Sequence, residues 1–130
     1  MAEDCLSEVI NCFENYQHPI IVEGKKDKES LHSLGAKNVV VLNKPLFAIV
    51  ESVAAQSSEC MILTDFDSEG KQLYGRLKKQ LQLHHVKVND TVRLLLLKET
   101  TVKEMEGLAQ FFRRRSDHDY SVSRKSINFL

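Results

Sequence analysis

The residues of this chain best suited to chemistry are three carboxylates that follow short apolar runs. Glu23 comes directly after residues 20–22, and Asp65 and Asp67 come shortly after residues 61–63, in the sequence Thr-Asp-Phe-Asp. Residues two apart in an extended chain point to the same side. Asp65 and Asp67 can therefore direct both carboxylates to one point, and Glu23 faces the same point if the two runs are neighbouring strands.

Three carboxylates in a small volume repel one another, which raises the proton affinity of at least one of them. A divalent cation removes that repulsion. The candidate ligands are oxygens only, with no His or Cys nearby in the sequence, and such a set favours magnesium or manganese over zinc. A metal ion of this kind is suited to binding a phosphate and stabilising charge that develops on it. The pattern therefore predicts a Mg²⁺ site, with Mn²⁺ as the alternative ion.

A purely structural role is the alternative for each motif taken alone. Asp67 precedes a helical pattern, and Asp is a favoured N-cap residue. Glu23 and Gly24 together would also suit an exposed turn. The metal-site interpretation is preferred because both motifs lie at the end of an apolar strand.

The elements that must position these acids alternate between strands and helices. Strands are predicted at residues 20–22, 39–42, 61–63 and 92–97. Helices are predicted at 6–16, 27–34, 45–53, 73–81 and 102–115, the last with a capping box formed by Thr101 and Glu104. This alternation predicts a single α/β domain with three layers, similar to a Rossmann fold, around a central, mostly parallel four-stranded sheet. Ligands of such sheets bind at the carboxyl ends of the strands.

Composition and charge restrict the class of protein. The 18 basic residues balance the 18 acidic ones, which argues against a histone-like protein that binds nucleic acid by bulk charge. No segment is long enough to suggest a membrane span, and residues 3 and 4 are acidic where a signal peptide would be basic. We therefore expect a cytoplasmic protein without a membrane partner, whose three cysteines are reduced thiols. The expected organisation is an N-terminal helix at 1–18, packed on a domain at 19–115, and a tail at 116–130.

Basic residues flank the acidic motifs and are candidate contacts for substrate phosphates. These residues are Lys25, Lys26, Lys71 and Arg76. A solvated helix face is the alternative for each of them. Residues 113–115 are three consecutive arginines, which would either extend a nucleic-acid surface or complement the C-terminal dipole of a helix.

Two sequence motifs make the chain resemble the Toprim domain, which occurs in topoisomerases, bacterial-type primases, nucleases and recombination mediators. The motifs are I-I-V-E-G-K-K-D from Ile20 and I-L-T-D-F-D-S-E-G from Ile62, and the resemblance extends over about residues 19–115. The chain is similar in size to the small stand-alone Toprim proteins of archaea and bacteria. It also resembles the Toprim ribonucleases that mature ribosomal RNA.

The resemblance implies that Glu23 is a general acid or base and that Asp65 and Asp67 hold the metal. The chain departs from the family pattern at Ser68, where topoisomerases usually have Arg, and at Lys71, where many members have a further acid. Glu69 is then the candidate for an additional metal-binding oxygen.

The function expected from these features is Mg²⁺-dependent phosphodiester chemistry on nucleic acid, as a nuclease acting on RNA or DNA. One alternative is a non-catalytic Toprim module or adaptor subunit that binds metal and nucleic acid. Another is a metal-dependent phosphotransfer enzyme acting on a small phosphorylated substrate. The expected partner is nucleic acid, and a homodimer or a larger nucleic-acid-processing complex remains open as the assembly.

Overall fold

Four parallel strands form the centre of the fold, in the order β2-β1-β3-β4. A computed structural model describes the backbone of residues 2–115 and the side chains of residues 5–115. The strands are β1 (Ile20–Val22), β2 (Val39–Val41), β3 (Glu59–Ile62) and β4 (Lys87–Val88), and the helices are α1 (Ala2–Asn15), α2 (Lys25–Ser33), α3 (Leu46–Gln56), α4 (Ser68–Leu83) and α5 (Thr91–Glu99). A 3-10 turn at Met105–Gly107 follows α5, and residues 108–115 are helical.

The two faces of the sheet carry separate apolar cores because successive strand residues point to opposite sides. Ile20 and Val22 of β1 pack in the core that α1, α2, α5 and residues 105–112 cover, whereas Ile21 packs in the core that α3 and α4 cover. The result is a three-layer arrangement of helices, sheet and helices. The predicted α/β fold with a four-stranded sheet is confirmed, and all the strand pairs are parallel.

The fourth strand was predicted at the wrong place. Residues 92–97 lie in helix α5, and the fourth strand is the two-residue β4. The buried residues of this helix are Val92, Arg93 and Leu96, which share one helical face, while Leu94 and Leu97 are exposed. A continuous apolar run has no period that separates a buried strand from a helix, and the leucines that dominate this run are strong helix formers.

The last helix begins later than the capping-box spacing predicts. Residues 101–104 are not helical, and Glu104 precedes the 3-10 turn without a side-chain capping hydrogen bond. This segment instead contacts the loop after β3, where the Phe66 N–H donates to the Lys103 carbonyl oxygen (2.7 Å). A long-range backbone contact thus replaces the local cap.

The remaining predictions about chain organisation concern the two ends. Helix α1 packs on the domain through Cys5, Val9 and Phe13, which are buried in the same core as α5. The predicted tail at 116–130 lies outside the described residues.

The three cysteines, Cys5, Cys12 and Cys60, are free, and burial raises the pKa of the Cys60 thiol to about 12. Across the described part of the chain, no helix combines the length and apolar character needed to cross a membrane.

Candidate metal centre at the carboxyl edge of the sheet

The three predicted carboxylates follow neighbouring strands at one edge of the sheet. β1 and β3 pair in parallel, with Ile21 opposite Ile62, and the Leu63 N–H donates to the Ile21 carbonyl oxygen (2.8 Å). Glu23 and Asp65 therefore leave the sheet side by side. Glu23 Oε2 accepts a hydrogen bond from the Asp65 N–H (2.8 Å), so the two motifs, 42 residues apart in sequence, are in direct contact.

Asp65 is held from the other side by the segment after α5. Its Oδ1 accepts a hydrogen bond from the Met105 N–H (2.8 Å). Together with the bond between Phe66 and Lys103, this contact ties the loop after β3 to residues 103–105. No local signal in the sequence predicts this pairing, because the two partners are 40 residues apart.

Asp67 is the N-cap residue of α4, as the structural alternative proposed. Its Oδ1 accepts a hydrogen bond from the Gly70 N–H (2.7 Å). The carboxylate is otherwise exposed. A capping carboxylate uses one oxygen for the helix, so the capping role and a role in metal binding are compatible.

Gly70 is required by the close approach of α4 to the loop after β3. A Cβ atom added at this position would lie 2.1 Å from the Asp65 carbonyl oxygen. The Thr64 hydroxyl donates to the Gly70 carbonyl oxygen (2.7 Å) and is fully buried. The first turn of α4 is thereby fixed against the backbone that carries Asp65.

Asp27 is a further carboxylate of the site that the sequence-based list of site residues omitted. It is only 7% exposed, and its Oδ2 accepts a hydrogen bond from the Gly24 N–H (2.9 Å) at the start of α2. The signal was present in the sequence, because Asp27 ends the motif that contains Glu23. Glu106, in the 3-10 turn, also acts electrostatically on Asp27 and Asp65.

Burial and mutual repulsion raise the pKa values of three carboxyl groups. Burial is the largest cause for Glu23, Asp27 and Asp65 alike, and the neighbouring acids add to it. The backbone N–H donors oppose the shift without cancelling it. The carboxyl groups of Glu23, Asp27 and Asp65 therefore hold their protons more tightly in the folded state than in the unfolded chain. Their ionisation lowers the free energy of unfolding as the pH rises above about 4. The N–H donors and the nearby Arg93 thus compensate the negative charge of this edge only in part.

A buried arginine lies beneath the acidic loop. Arg93 of α5 is 5% exposed, and its guanidinium donates to the carbonyl oxygens of Thr64 (2.9 Å) and Ile62 (3.3 Å). Its Cζ atom is 4.9 Å from the ring centroid of Phe66 and 4.3 Å from that of Tyr74. Sequence reasoning missed this residue because it was assigned to a strand; a charge within an otherwise apolar run was the available signal.

Replacing Arg93 with Met should destabilise the fold. The substitution keeps much of the side-chain volume but leaves two carbonyl oxygens at the end of β3 without their donor, which costs about 1–3 kcal/mol. Urea unfolding measures this decrease. Arg76→Met is the control, because Arg76 is exposed on α4 and its loss should change the free energy of unfolding by no more than about 0.5 kcal/mol. Equal stability of the two variants would contradict the anchoring role of Arg93.

The other predicted site residues are exposed. Glu69 and Lys71 lie in the first turn of α4, Lys25 and Lys26 in the first turn of α2, and Arg76 further along α4. Within the described residues the sole salt bridge joins Lys78 to Asp90 (2.9 Å). The four basic residues are thus available to solvent and to an anionic ligand.

The acids lie together without forming a complete set of metal ligands. Among the side chains of residues 5–115, no three His, Cys, Asp or Glu residues are placed so that they could hold an ion as they stand. Glu23, Asp65 and Asp67 each direct one oxygen to a backbone N–H. Each carboxylate also has a second oxygen, and binding of an ion would require these oxygens to be brought together by side-chain rotation.

The segment of the chain that carries this site is similar to known proteins. The model of the Toprim domain family matches residues 18–94, a segment that includes Glu23, Asp65 and Asp67. A UPF0292 protein of Methanocaldococcus jannaschii is 31% identical over 107 residues, covering 78% of this chain and 84% of the relative. A UPF0292 protein of Pyrococcus abyssi is 32% identical over 111 residues, covering 83% and 84%.

A solved structure shows the same arrangement of the chain. A protein from Aquifex aeolicus superposes with a TM-score of 0.69 at 25% sequence identity, covering 80% of this chain and 94% of the other. The similarity thus extends over nearly the full length of that protein.

Proposed function

The chain belongs to the Toprim domain family, and on that premise we propose that it is a Mg²⁺-dependent nuclease acting on RNA or DNA. Membership of the family implies a metal-binding function related to nucleic acids. The observation that carries the finer proposal is the contact between Glu23 and the Asp65 backbone. It joins the two acidic motifs at the carboxyl edge of the sheet, where a parallel sheet binds its ligands.

The donor chemistry of the site fits a hard divalent cation. All the candidate ligand atoms are carboxylate oxygens, which suit Mg²⁺ and Mn²⁺. The raised carboxyl pKa values indicate negative charge that a cation would compensate. Asp65 and Asp67 would hold the ion, with Glu23 or Glu69 supplying a further oxygen. A bound ion of this kind would supply positive charge to stabilise the negative charge that develops on the scissile phosphate.

Glu23 is the proposed general acid or base. Burial and the neighbouring carboxylates raise its pKa, which brings the group closer to the neutral range in which a proton can be both taken up and released. Glu23 would accept a proton from the attacking water or donate one to the leaving oxygen. The exposed Lys25, Lys26, Lys71 and Arg76 would contact substrate phosphates and fix the register of the strand.

The proposal is tested by incubating the purified protein with single-stranded, duplex and structured RNA and DNA, in Mg²⁺ and in EDTA. We expect cleavage of at least one substrate in Mg²⁺ and none in EDTA. Cleavage in EDTA at the same rate would contradict a metal-dependent reaction.

A non-catalytic module that binds metal and nucleic acid is the second candidate. It is favoured by the formal net charge of zero and by Ser68, where topoisomerases usually have Arg. The same panel distinguishes the two functions, because binding of nucleic acid with no turnover of any substrate supports the module. For either function we expect the protein to act in the cytoplasm and to bind nucleic acid. It would do so as a homodimer or as part of a larger complex.

Mg²⁺ should stabilise the wild-type fold but not an Asp65→Asn variant. An ion that binds only the folded state adds about 1.4 kcal/mol to the free energy of unfolding at ten times its Kd. The Asn side chain can still accept the Met105 N–H bond but removes one negative charge. Urea unfolding with and without Mg²⁺ measures the difference. Glu8→Gln, at an exposed position of α1, is the control and should respond to Mg²⁺ as the wild type does; an undiminished response of Asp65→Asn would contradict its role as a ligand.

A further inference from the structure

An exposed aromatic ring lies at the same edge of the sheet as the acidic site. Phe47 is 68% exposed, and it is the only aromatic residue among the exposed large hydrophobic residues of the described chain, the others being Leu83, Leu94 and Leu97. Single exposed apolar residues are common at protein surfaces. What sets Phe47 apart is its position at this edge of the sheet, which exposed lysines share.

Phe47 follows the strand that is adjacent to the one leading to Glu23. β2 pairs in parallel with β1, and the Leu42 N–H donates to the carbonyl oxygen of Val22 (3.0 Å), the residue directly before Glu23. Residues 43–45 then lead into α3, which places Phe47 in the first turn of that helix. The opposite face of α3 is anchored in the core by Ile49, Val50 and Val53, so the backbone that carries the ring is fixed.

Exposed lysines lie at the same carboxyl edge of the sheet as Phe47 and the acidic site. Lys44 is exposed in the loop before α3, and Lys25 and Lys26 are exposed at the start of α2, directly after Glu23 and Gly24. Glu51, one turn further along α3, is the acidic residue on the same helix. Cations that track a phosphate backbone beside an exposed aromatic ring are the combination used to bind single-stranded nucleic acid, because every base has a π-face for stacking.

We propose that Phe47 is a stacking platform for an unpaired base, and that the substrate of the acidic site is therefore single-stranded RNA or DNA, or an unpaired segment of a structured molecule. This inference rests on the proposed action on nucleic acid and specifies the substrate class. Bases in a duplex are already stacked on one another and do not present a face to Phe47. Lys44 and Lys25 would contact the phosphates between the stacked base and the acidic site.

The chain contains no Trp, so a single Trp introduced at this position reports on stacking directly. Phe47→Trp should lose indole fluorescence when titrated in EDTA with an oligothymidylate or oligouridylate of about 12 nucleotides, a length within the range of single-strand sites. A blunt duplex of equal length should produce a much smaller change. Leu83→Trp is the matched control, because Leu83 is 65% exposed but lies at the far end of α4; its fluorescence should not respond.

Direct binding measurements complete the test. Phe47→Ala should weaken binding of the single strand about tenfold, and Phe47→Tyr should preserve it, since a base–aromatic stack contributes at this level. Unchanged binding by Phe47→Ala, or equal responses to duplex and single strand, would overturn the proposal. Because these titrations use EDTA, they are independent of cleavage: stacking without any Mg²⁺-dependent turnover would refute only the nuclease, and turnover without stacking would refute only the role of Phe47.

Discussion

Replacing Glu23 with Gln should lower the rate of Mg²⁺-dependent cleavage by about 10²- to 10⁴-fold, the usual contribution of a general acid or base. Gln has nearly the same shape and retains an oxygen that can accept the Asp65 N–H bond now made by Glu23. The loop after β3 should therefore keep its position. The substitution removes a group that can take up and release a proton. The rate of cleavage at saturating substrate should therefore decrease.

Two controls separate this effect from loss of structure or of metal. Glu8→Gln, at an exposed position on α1, should cleave at the wild-type rate. A Mn²⁺ titration of Glu23→Gln should show how far the metal affinity changes, because Glu23 is also a candidate ligand. Cleavage by Glu23→Gln as fast as by the wild type would refute a proton-transfer role for this residue.

Gly70→Ala should strongly destabilise the fold. The added Cβ would lie 2.1 Å from the carbonyl oxygen and 2.7 Å from the carbonyl carbon of Asp65. These are backbone atoms that cannot rotate away, so either α4 or the loop after β3 must shift. Overpacking of this kind costs typically 1–3 kcal/mol and occasionally more, and we expect a loss of about 3 kcal/mol in the free energy of unfolding. Because the displaced backbone carries Asp65, Mg²⁺-dependent cleavage should fall as well.

The same helix provides a matched control for this prediction. Gly75 lies inside α4, and an added Cβ there would meet nothing within 4 Å. Gly75→Ala should increase the free energy of unfolding by about 0.5–1 kcal/mol, since Ala is favoured over Gly in a helix interior. Urea unfolding of the two variants measures both effects. Two changes of the same sign would contradict the close contact between α4 and Asp65.

The parts of the fold that sequence reasoning predicted well are those with a clear period or boundary. The runs predicted as strands at 20–22 and 39–42 are short and rich in β-branched residues, and they contain β1 and β2. The leucine-rich run at 92–97 has no such period, and its helical structure depends on burying Val92, Arg93 and Leu96 on one face. The two-residue β4 is too short to produce a recognisable pattern.

Some contacts of the candidate site were likewise predictable from the sequence, and others were not. Glu23 and Asp65 were predicted to approach each other because the ends of neighbouring parallel strands meet at one edge, and their hydrogen bond shows that they do. The contacts that Met105 and Arg93 make with the loop after β3 were not predictable. They join residues 29 to 40 positions apart through backbone groups, which carry no information about side-chain type.

Glu23, Asp65 and Asp67 are expected to share one divalent cation, and anomalous diffraction from a crystal soaked in Mn²⁺ tests this sharing most directly. Mn²⁺ replaces Mg²⁺ at oxygen sites and reveals its own position without any assumption about activity. We expect an anomalous peak bonded to oxygens of Asp65 and Asp67, with Glu23 turned towards it. A peak elsewhere, or no peak at the carboxyl edge of β1 and β3 at saturating Mn²⁺, would contradict the claim.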